Sequence, residues 1–231
     1  MVPAVLHWSS GKDAAFALHR VRRERRFDIC SLLTTVSEEH QRVAIHGVRR
    51  ALLQGQAEAL GLRLIEVPLP AVCSNSEYEE RMGRALAQLK AEGIIDHLFG
   101  DLHLADIRAY RERQLAALGL RAHFPLWEAD SRTLAGEMIA AGIRARIVVL
   151  DPARMPREHL GADYDEVLLA SLPEDVDPCG ERGEFHTLVT GMPDFAYPLT
   201  IEAEVSVERD GLLYQDFRLV QSRSQQIGFT K

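Results

Sequence analysis

Cysteine is scarce and scattered: Cys30, Cys73 and Cys179 are the whole complement of a 231-residue chain. Three thiols, far apart and without a C-x-x-C pair, exclude a disulfide framework and a zinc knuckle, and solitary thiols are expected. Long apolar runs are missing as well. No segment approaches the roughly 18 apolar residues of a membrane span. The opening Met1-Val2-Pro3-Ala4-Val5-Leu6-His7-Trp8 has neither the charged start nor the apolar stretch of a signal peptide, so a cytoplasmic protein with no membrane partner is expected. Basic charge is in deficit, with a formal net charge of -7, which argues against broad, sequence-independent binding to nucleic acid. Arg20, Arg22, Arg23, Arg25 and Arg26 do cluster. They close the first predicted helix, where cations complement the negative end of its dipole, and this solvated-face reading is preferred to an RNA or phosphate patch.

What is present is ordinary globular composition, 46% hydrophobic and 26% charged, so the chain should fold by itself, as one large domain or as a main domain with a smaller appendage. Apolar runs alternate with helical periodicities, the pattern of an α/β fold on a mostly parallel sheet. Val5 to Trp8 reads as a strand, Ala14 to Val21 as a helix, and Ile29 to Thr35 as a second strand. A helix is expected from about Arg42 to Leu60, ended by Gly61, then a strand from Leu64 to Val67. Ser76-Glu77-Tyr78-Glu79 fits a capping box for a helix with Met82, Leu86 and Leu89 on one face. Asp96 to Gly100 is a short strand, and the next helix carries Arg108 and Arg111. The loops after Trp8, Thr35 and Gly100 should share one rim, beyond the carboxyl ends of the strands.

A composition shift after Pro125-Leu126-Trp127 marks a soft boundary between residues 1–127 and 128–231. Beyond it Asp130-Ser131 caps another helix and Ala145 to Leu150 forms a strand. The chain is then irregular until Ile201 to Val207, whose alternation predicts a half-buried strand, turned by Arg209-Asp210-Gly211 into a hairpin with Leu212 to Leu219.

Two short stretches carry chemistry. In His7-Trp8-Ser9-Ser10-Gly11-Lys12-Asp13-Ala14 a strand end is followed by two hydroxyls, a glycine and a Lys-Asp pair opening a helix. Unpaired amides at a helix start, hydroxyl donors and a lysine together suit an anion. Asp13 would hold a magnesium ion or cap the helix. The spacing differs from G-x-x-x-x-G-K-[ST] and so does not announce γ-phosphate transfer. Taken alone, the stretch is equally a plain strand-to-helix turn. The second stretch is Asp177-Pro178-Cys179-Gly180-Glu181-Arg182-Gly183-Glu184-Phe185-His186-Thr187, two glycines with two acids three apart, which alone reads as a surface turn.

The first stretch resembles the S-G-G-K-D-S pyrophosphate-binding loop of the ATP pyrophosphatase (PP-loop, adenine nucleotide alpha hydrolase) superfamily. The second resembles the C-G-E-G-G-E-Y-E-T signature of the diphthine-ammonia ligases. Co-linear likeness joins them through Phe99-Gly100-Asp101, Arg108 and Arg111, Leu118-Gly119-Leu120, Pro125-Leu126-Trp127 and Glu137 to Gly142, over most of residues 1 to about 190. The resemblance implies a HUP-type, Rossmann-like α/β fold with a parallel five-stranded sheet flanked by helices. It also implies a smaller carboxyl-terminal α+β part that ends in a β-hairpin. The implied activity is ATP-dependent and AMP-forming: a carboxylate is adenylated, pyrophosphate leaves, and ammonia displaces AMP to give an amide, with ATP and Mg2+ as cofactors.

Carried over to this chain, Ser9, Ser10, Gly11, Lys12 and Asp13 form the phosphate and metal end of an ATP site that also takes in Thr35, His46 and Gly100, with His46 at least as readable as a partly exposed, hydrogen-bonded histidine of the predicted helix. Asp13 is the candidate magnesium ligand. Asp101, Arg108 and Arg111 line the rim near the α-phosphate or the acyl group, with Arg108 and Arg111 equally readable as a helix surface paired with Glu112. Glu181 and Glu184 face the reacting carboxylate and, with Lys12 and Asp101, make the catalytic set. Cys179, Gly180, Gly183 and His186 lie on the acceptor side, Cys179 as a structural thiol rather than a nucleophile. Three departures stand out: Ala14 where the loop ends in Ser, Arg182 where Gly is usual, and Phe185-His186 where Tyr-Glu is usual. The expected acceptor is a carboxylate, either a protein side chain such as diphthine on elongation factor 2 or a small molecule. A homodimer is compatible with this size and fold. The rival readings are a tRNA-modifying enzyme, disfavoured by the acidic charge and the lack of paired cysteines, and a nucleotide sensor without turnover.

Overall fold

The computed structural model describes residues 1–43 and 46–220. Five strands form a parallel sheet: β1 (Val2–His7), β2 (Phe27–Ser37), β4 (Arg63–Leu69), β5 (Asp96–Leu98) and β6 (Arg121–His123). Their order is β4-β2-β1-β5-β6, and a two-residue strand β3 (Arg42–Val43) pairs antiparallel with Val36 and Ser37 at the far end of β2. The chain runs from β1 outward to β4, then returns to the other side of β1 for β5 and β6. The order therefore reverses between β1 and β5, and a crevice opens there at the carboxyl ends of the strands.

Helices α1 (Lys12–Glu24), α2 (Arg50–Leu60), α3 (Asn75–Ala91) and α4 (Ala105–Ala117) connect these strands. After α5 (Ser131–Ala140) the chain builds a second, antiparallel sheet from β7 (Arg144–Leu150), β8 (Phe185–Gly191), β9 (Ile201–Arg209) and β10 (Leu212–Leu219), in the order β8-β7-β10-β9, with a short helix α6 (Glu166–Ser171) before β8. Helix α1 is buried on several sides through Ala14, Ala15, Phe16, Ala17, Leu18 and Val21. It can be so because it packs on β1 and β2 and also on β8 of the second sheet. One hydrophobic cluster runs from Ala4 to Phe217 across positions 127 and 128.

Several expectations need correction. The helix expected from Arg42 begins only at Arg50. Arg42 and Val43 are strand, Ala44 and Ile45 lie outside the described residues, and Gly47 takes a left-handed φ of 61° in a turn closed by Val43 N–H to the Val48 carbonyl. Helix α3 is capped two residues earlier than expected, by the Ser74 side chain accepting from Glu77 N–H. Strand β9 is exposed along almost its whole length, Val205 by 69%. It is the outer strand of its sheet, with β10 as its neighbour, so alternation does not translate into a buried face. Strands β6 and β8 were not anticipated. The hairpin turn is as expected, with Asp210 and Gly211 both at positive φ.

Candidate active site

The loop between β1 and α1 is fixed from behind. The Trp8 indole N–H donates to the Gln56 side-chain oxygen at 2.8 Å, and the Gln56 amide donates to the carbonyls of Ser10 (3.1 Å) and Val189 (2.7 Å). The Ser10 carbonyl also accepts from Val189 N–H at 2.9 Å, and Lys12 N–H donates to the Thr187 hydroxyl at 3.1 Å. Gln56 is fully buried, and its three bonds tie the loop to both α2 and the second sheet. Gly100 permits the next close approach: a Cβ there would lie 2.8 Å from the Ala14 amide nitrogen. Backbone so near cannot yield without moving the start of α1 away from β5.

The stretch after Asp177 folds over this loop and is braced internally. Glu184 has no exposed side-chain surface; its carboxylate accepts from Asp177 N–H (3.0 Å), Arg182 N–H (2.9 Å) and the Arg154 guanidinium (2.9 Å). The Tyr164 hydroxyl donates to the Pro178 carbonyl at 2.8 Å. Glu181 points the other way, into the space over α1, and accepts weakly from the amides of Leu102 (3.3 Å) and His103 (3.4 Å).

Between the two loops lies a cleft of about 530 Å³. Of the residues singled out from sequence, Ser9, Lys12, Asp13, His46, Gly100, Asp101, Arg111, Cys179, Gly180, Glu181, Gly183 and His186 all line it, and Ala14 and Arg182 border it too. Ser10 and Gly11, expected in the ATP site, do not line the cleft, and Ser10 is fully buried. Others stand apart. Glu184 is turned into its own loop. Thr35 lies in β2 opposite Val67 and does not line the cleft. Arg108 stacks 4.5 Å over the Trp127 ring and pairs with Glu112 at 2.8 Å, the surface arrangement, whereas Arg111 pairs with Asp101 at 2.9 Å and lies 4.4 Å over Phe99.

Lys12 joins the two loops. Its ammonium sits 3.0 Å from both Asp13 carboxylate oxygens and donates to the Cys179 carbonyl, with the rings of Phe185 and Tyr164 at 5.3 and 5.4 Å. Burial works to strip its proton, but Asp13 and more distant negative groups outweigh it and hold Lys12 above its ordinary range. Glu181 moves upward to about 7, chiefly through burial and then the like charge of Asp13, against the pull of Lys12. A carboxyl poised near neutrality in a cleft is a group able to exchange protons there. Burial pushes the Cys179 thiol up to about 12, which removes it as a thiolate nucleophile. The rings of His46 and His186 stack at 4.6 Å, and His46 contacts the Thr187 carbonyl through Nδ1 at 3.2 Å. Burial holds them at about 4 and about 3, so both are neutral at pH 7.

Sequence reasoning missed Gln56, Tyr164 and His7. Gln56 carried a signal, since it lies in register with Leu52 and Leu60 on the buried face of α2. Tyr164 carried none. His7 also borders the cleft, with Nε2 3.1 Å from His97 Nδ1.

A parallel sheet with a crevice at its switch point, an anion-adapted helix start and a titratable carboxyl define an enzyme-like α/β architecture. Residues 1–122 match the diphthamide synthase N-terminal domain family, and the chain belongs to that family. A relative from Schizosaccharomyces pombe, a diphthine--ammonia ligase, is 30% identical over 95 residues, which cover 39% of this chain and 16% of the relative's length. The family match takes in the parallel sheet, Lys12, Asp101 and Arg111, while Glu181 and Glu184 lie beyond it. Among the described residues no helix is long and apolar enough to cross a membrane.

Proposed function

We propose that the chain is an ATP-dependent, AMP-forming amide ligase that activates a carboxylate and transfers it to ammonia. One observation supports this above the others: the Ser9–Asp13 loop and Glu181 face each other across a single cleft, with Lys12 bonded to both sides. The amino end of α1, the Ser9 hydroxyl and the Lys12 ammonium are donors suited to the phosphates. The base then occupies an adjoining cavity of about 220 Å³ that shares His46 with the cleft and is walled by Val43, Val148, Val207 and Tyr214.

The acceptor carboxylate oxygen attacks the α-phosphorus, the bond to the β-phosphate oxygen breaks and pyrophosphate leaves. Nitrogen then attacks the acyl carbon, the carbon–oxygen bond to the phosphate breaks, AMP leaves, and the proton on nitrogen passes to Glu181. Arg111 guides the acceptor carboxylate from the rim. Among the described residues no cluster of three or more His, Cys, Asp or Glu is arranged to hold a metal. Mg2+ usually takes one or two carboxylates together with phosphate oxygens, and Asp13 supplies one such carboxylate. Diphthine on elongation factor 2 is the acceptor that the relative's name suggests, and a small carboxylate would fit the same steps.

Incubation of the purified protein with ATP, Mg2+, ammonium and candidate carboxylates tests the reading. Acceptor-dependent AMP and pyrophosphate, with the amide as co-product, are expected. Release of ADP and phosphate instead overturns it.

A further inference from the structure

Behind the wall of the cleft lies another cavity, of about 160 Å³, between α3 and α4. His7, Phe99 and Arg111 border both spaces, so the two adjoin at these side chains. The walls of the smaller one are mainly apolar and aromatic, including Tyr78, Met82, Leu86, Tyr110 and Leu115, with Glu79 and Gln114 at a side where Tyr110 and Leu118 reach solvent. The Gln114 amide donates to Glu79 at 3.0 Å, joining α3 to α4 at this cavity. An apolar cavity of roughly 150 Å³ is large enough for benzene.

The position of Gly83 gives this space a purpose. Gly83 lies inside α3 and lines the cavity, and a Cβ built on it would meet nothing within 4 Å. Its φ is not positive, so neither backbone shape nor close packing calls for glycine. A glycine inside a helix weakens that helix relative to alanine. What its missing side chain provides is open volume.

We infer that this cavity is a specificity pocket for the acceptor, receiving an apolar, ring-sized part of the molecule while its carboxylate reaches the cleft past Arg111. The inference rests on the ligase reading for the word acceptor, and on the cavity alone for the binding of the ring. Arg111 suits the doorway, since its guanidinium already holds the Asp101 carboxylate and stacks on Phe99. An incoming carboxylate would find the same cation, and its ring the same aromatic surface.

The test uses phenylacetate and acetate as probes and isothermal titration of the full chain, as wild type, Gly83→Ala and Gly83→Leu, each checked for folding by circular dichroism. ATP is titrated separately. Phenylacetate is expected to bind wild type at least tenfold more tightly than acetate. Gly83→Ala should weaken phenylacetate two- to fivefold and Gly83→Leu at least tenfold, with acetate and ATP affinities unchanged. The inference is overturned if phenylacetate binds no better than acetate, or if Gly83→Leu and Gly83→Ala leave it unaffected. A tenfold loss of ATP affinity in Gly83→Leu also overturns it, by assigning the cavity to the base. Should phenylacetate bind as expected while no carboxylate elicits pyrophosphate release, the pocket stands and the ligase reading falls.

Discussion

The two loops that face each other across the cleft are held in opposite ways. In the Ser9–Asp13 loop Lys12 pairs with Asp13 and Gly11 N–H donates to the Ser9 hydroxyl, but the Ser10 carbonyl is gripped from outside, by Gln56 of α2 and by the backbone of β8. The stretch from Asp177 to Glu184 is braced by its own carboxylate, Glu184, with help from Arg154. The contrast explains how two acids three residues apart divide their work. Glu184 spends its lone pairs on the loop and is fully buried, so Glu181 alone is left to face the cleft. The gripped loop keeps Ser9 and Lys12 on the cleft, whereas the braced loop uses one of its acids as scaffold.

Glu181→Gln breaks that division most sharply. On the ligase reading it should lower kcat/KM for ammonium by about 10²- to 10⁴-fold, the usual weight of a general base. In the wild type the ammonia-dependent rate should rise as Glu181 ionises around pH 7, and the variant should lose that limb. Stability provides a second reading of the same group. A carboxyl whose pKa is raised in the folded state, to about 7, binds more protons folded than unfolded, so stability should fall as pH climbs from the ordinary carboxyl range to 7 and then level off. Denaturation of Glu181→Gln across that window should show a flatter profile. An unchanged rate profile and an unchanged stability profile would remove Glu181 from the chemistry.

Glu184→Gln should do the reverse, costing stability rather than turnover. The replacement can accept at one oxygen only and presents an N–H2 group to the Arg182 or Asp177 amide, with Arg154 left facing a neutral partner. About 2 to 3 kcal/mol is expected from losing a buried charge-assisted acceptor, measured by urea denaturation at pH 7. Gly100→Ala comes next, at about 1 to 3 kcal/mol, since its new methyl overpacks the first turn of α1. ATP affinity should fall with it, whereas Glu184→Gln should leave ATP affinity near wild type.

Much of this site is legible in the sequence. Ser9 to Asp13 could be flagged because a strand end, a glycine and a lysine at a helix start form a local anion-suited pattern, and the resemblance to the pyrophosphate-binding loop chose that reading over a plain turn. Glu181 and Glu184 could be flagged but not told apart, because which one turns inward depends on Arg154, far off in sequence. The helix expected from Arg42 failed for a similar reason. Asp216 on β10 bonds Arg42 at 2.8 Å and Arg49 at 3.0 Å, and two arginines drawn to one distant carboxylate favour the turn over a continued helix. Strand β6 has only three residues, too few to show any period. Strand β8 follows a glycine-rich turn whose character masked it. The apolar surface that carries β8 into the core is visible only once α1 lies against it.

Ser10 offers the smallest and most specific probe of the external grip. It sits at φ 67°, in the left-handed region, and is fully buried. A non-glycine residue there costs about 1 to 2 kcal/mol, and the grip of Gln56 and Val189 on its carbonyl is what holds it. Ser10→Gly should relieve the strain while giving up the hydroxyl contact to Ser9 and gaining chain entropy when unfolded, leaving a net stabilisation of about 0.5 kcal/mol. In a Gln56→Leu background only the Val189 amide still holds the Ser10 carbonyl, so the same substitution should gain less. Equal gains in both backgrounds, measured by a double-mutant cycle, would show that Gln56 does not impose the loop's shape and that its bonds to Ser10 and Val189 serve the packing of α2 alone.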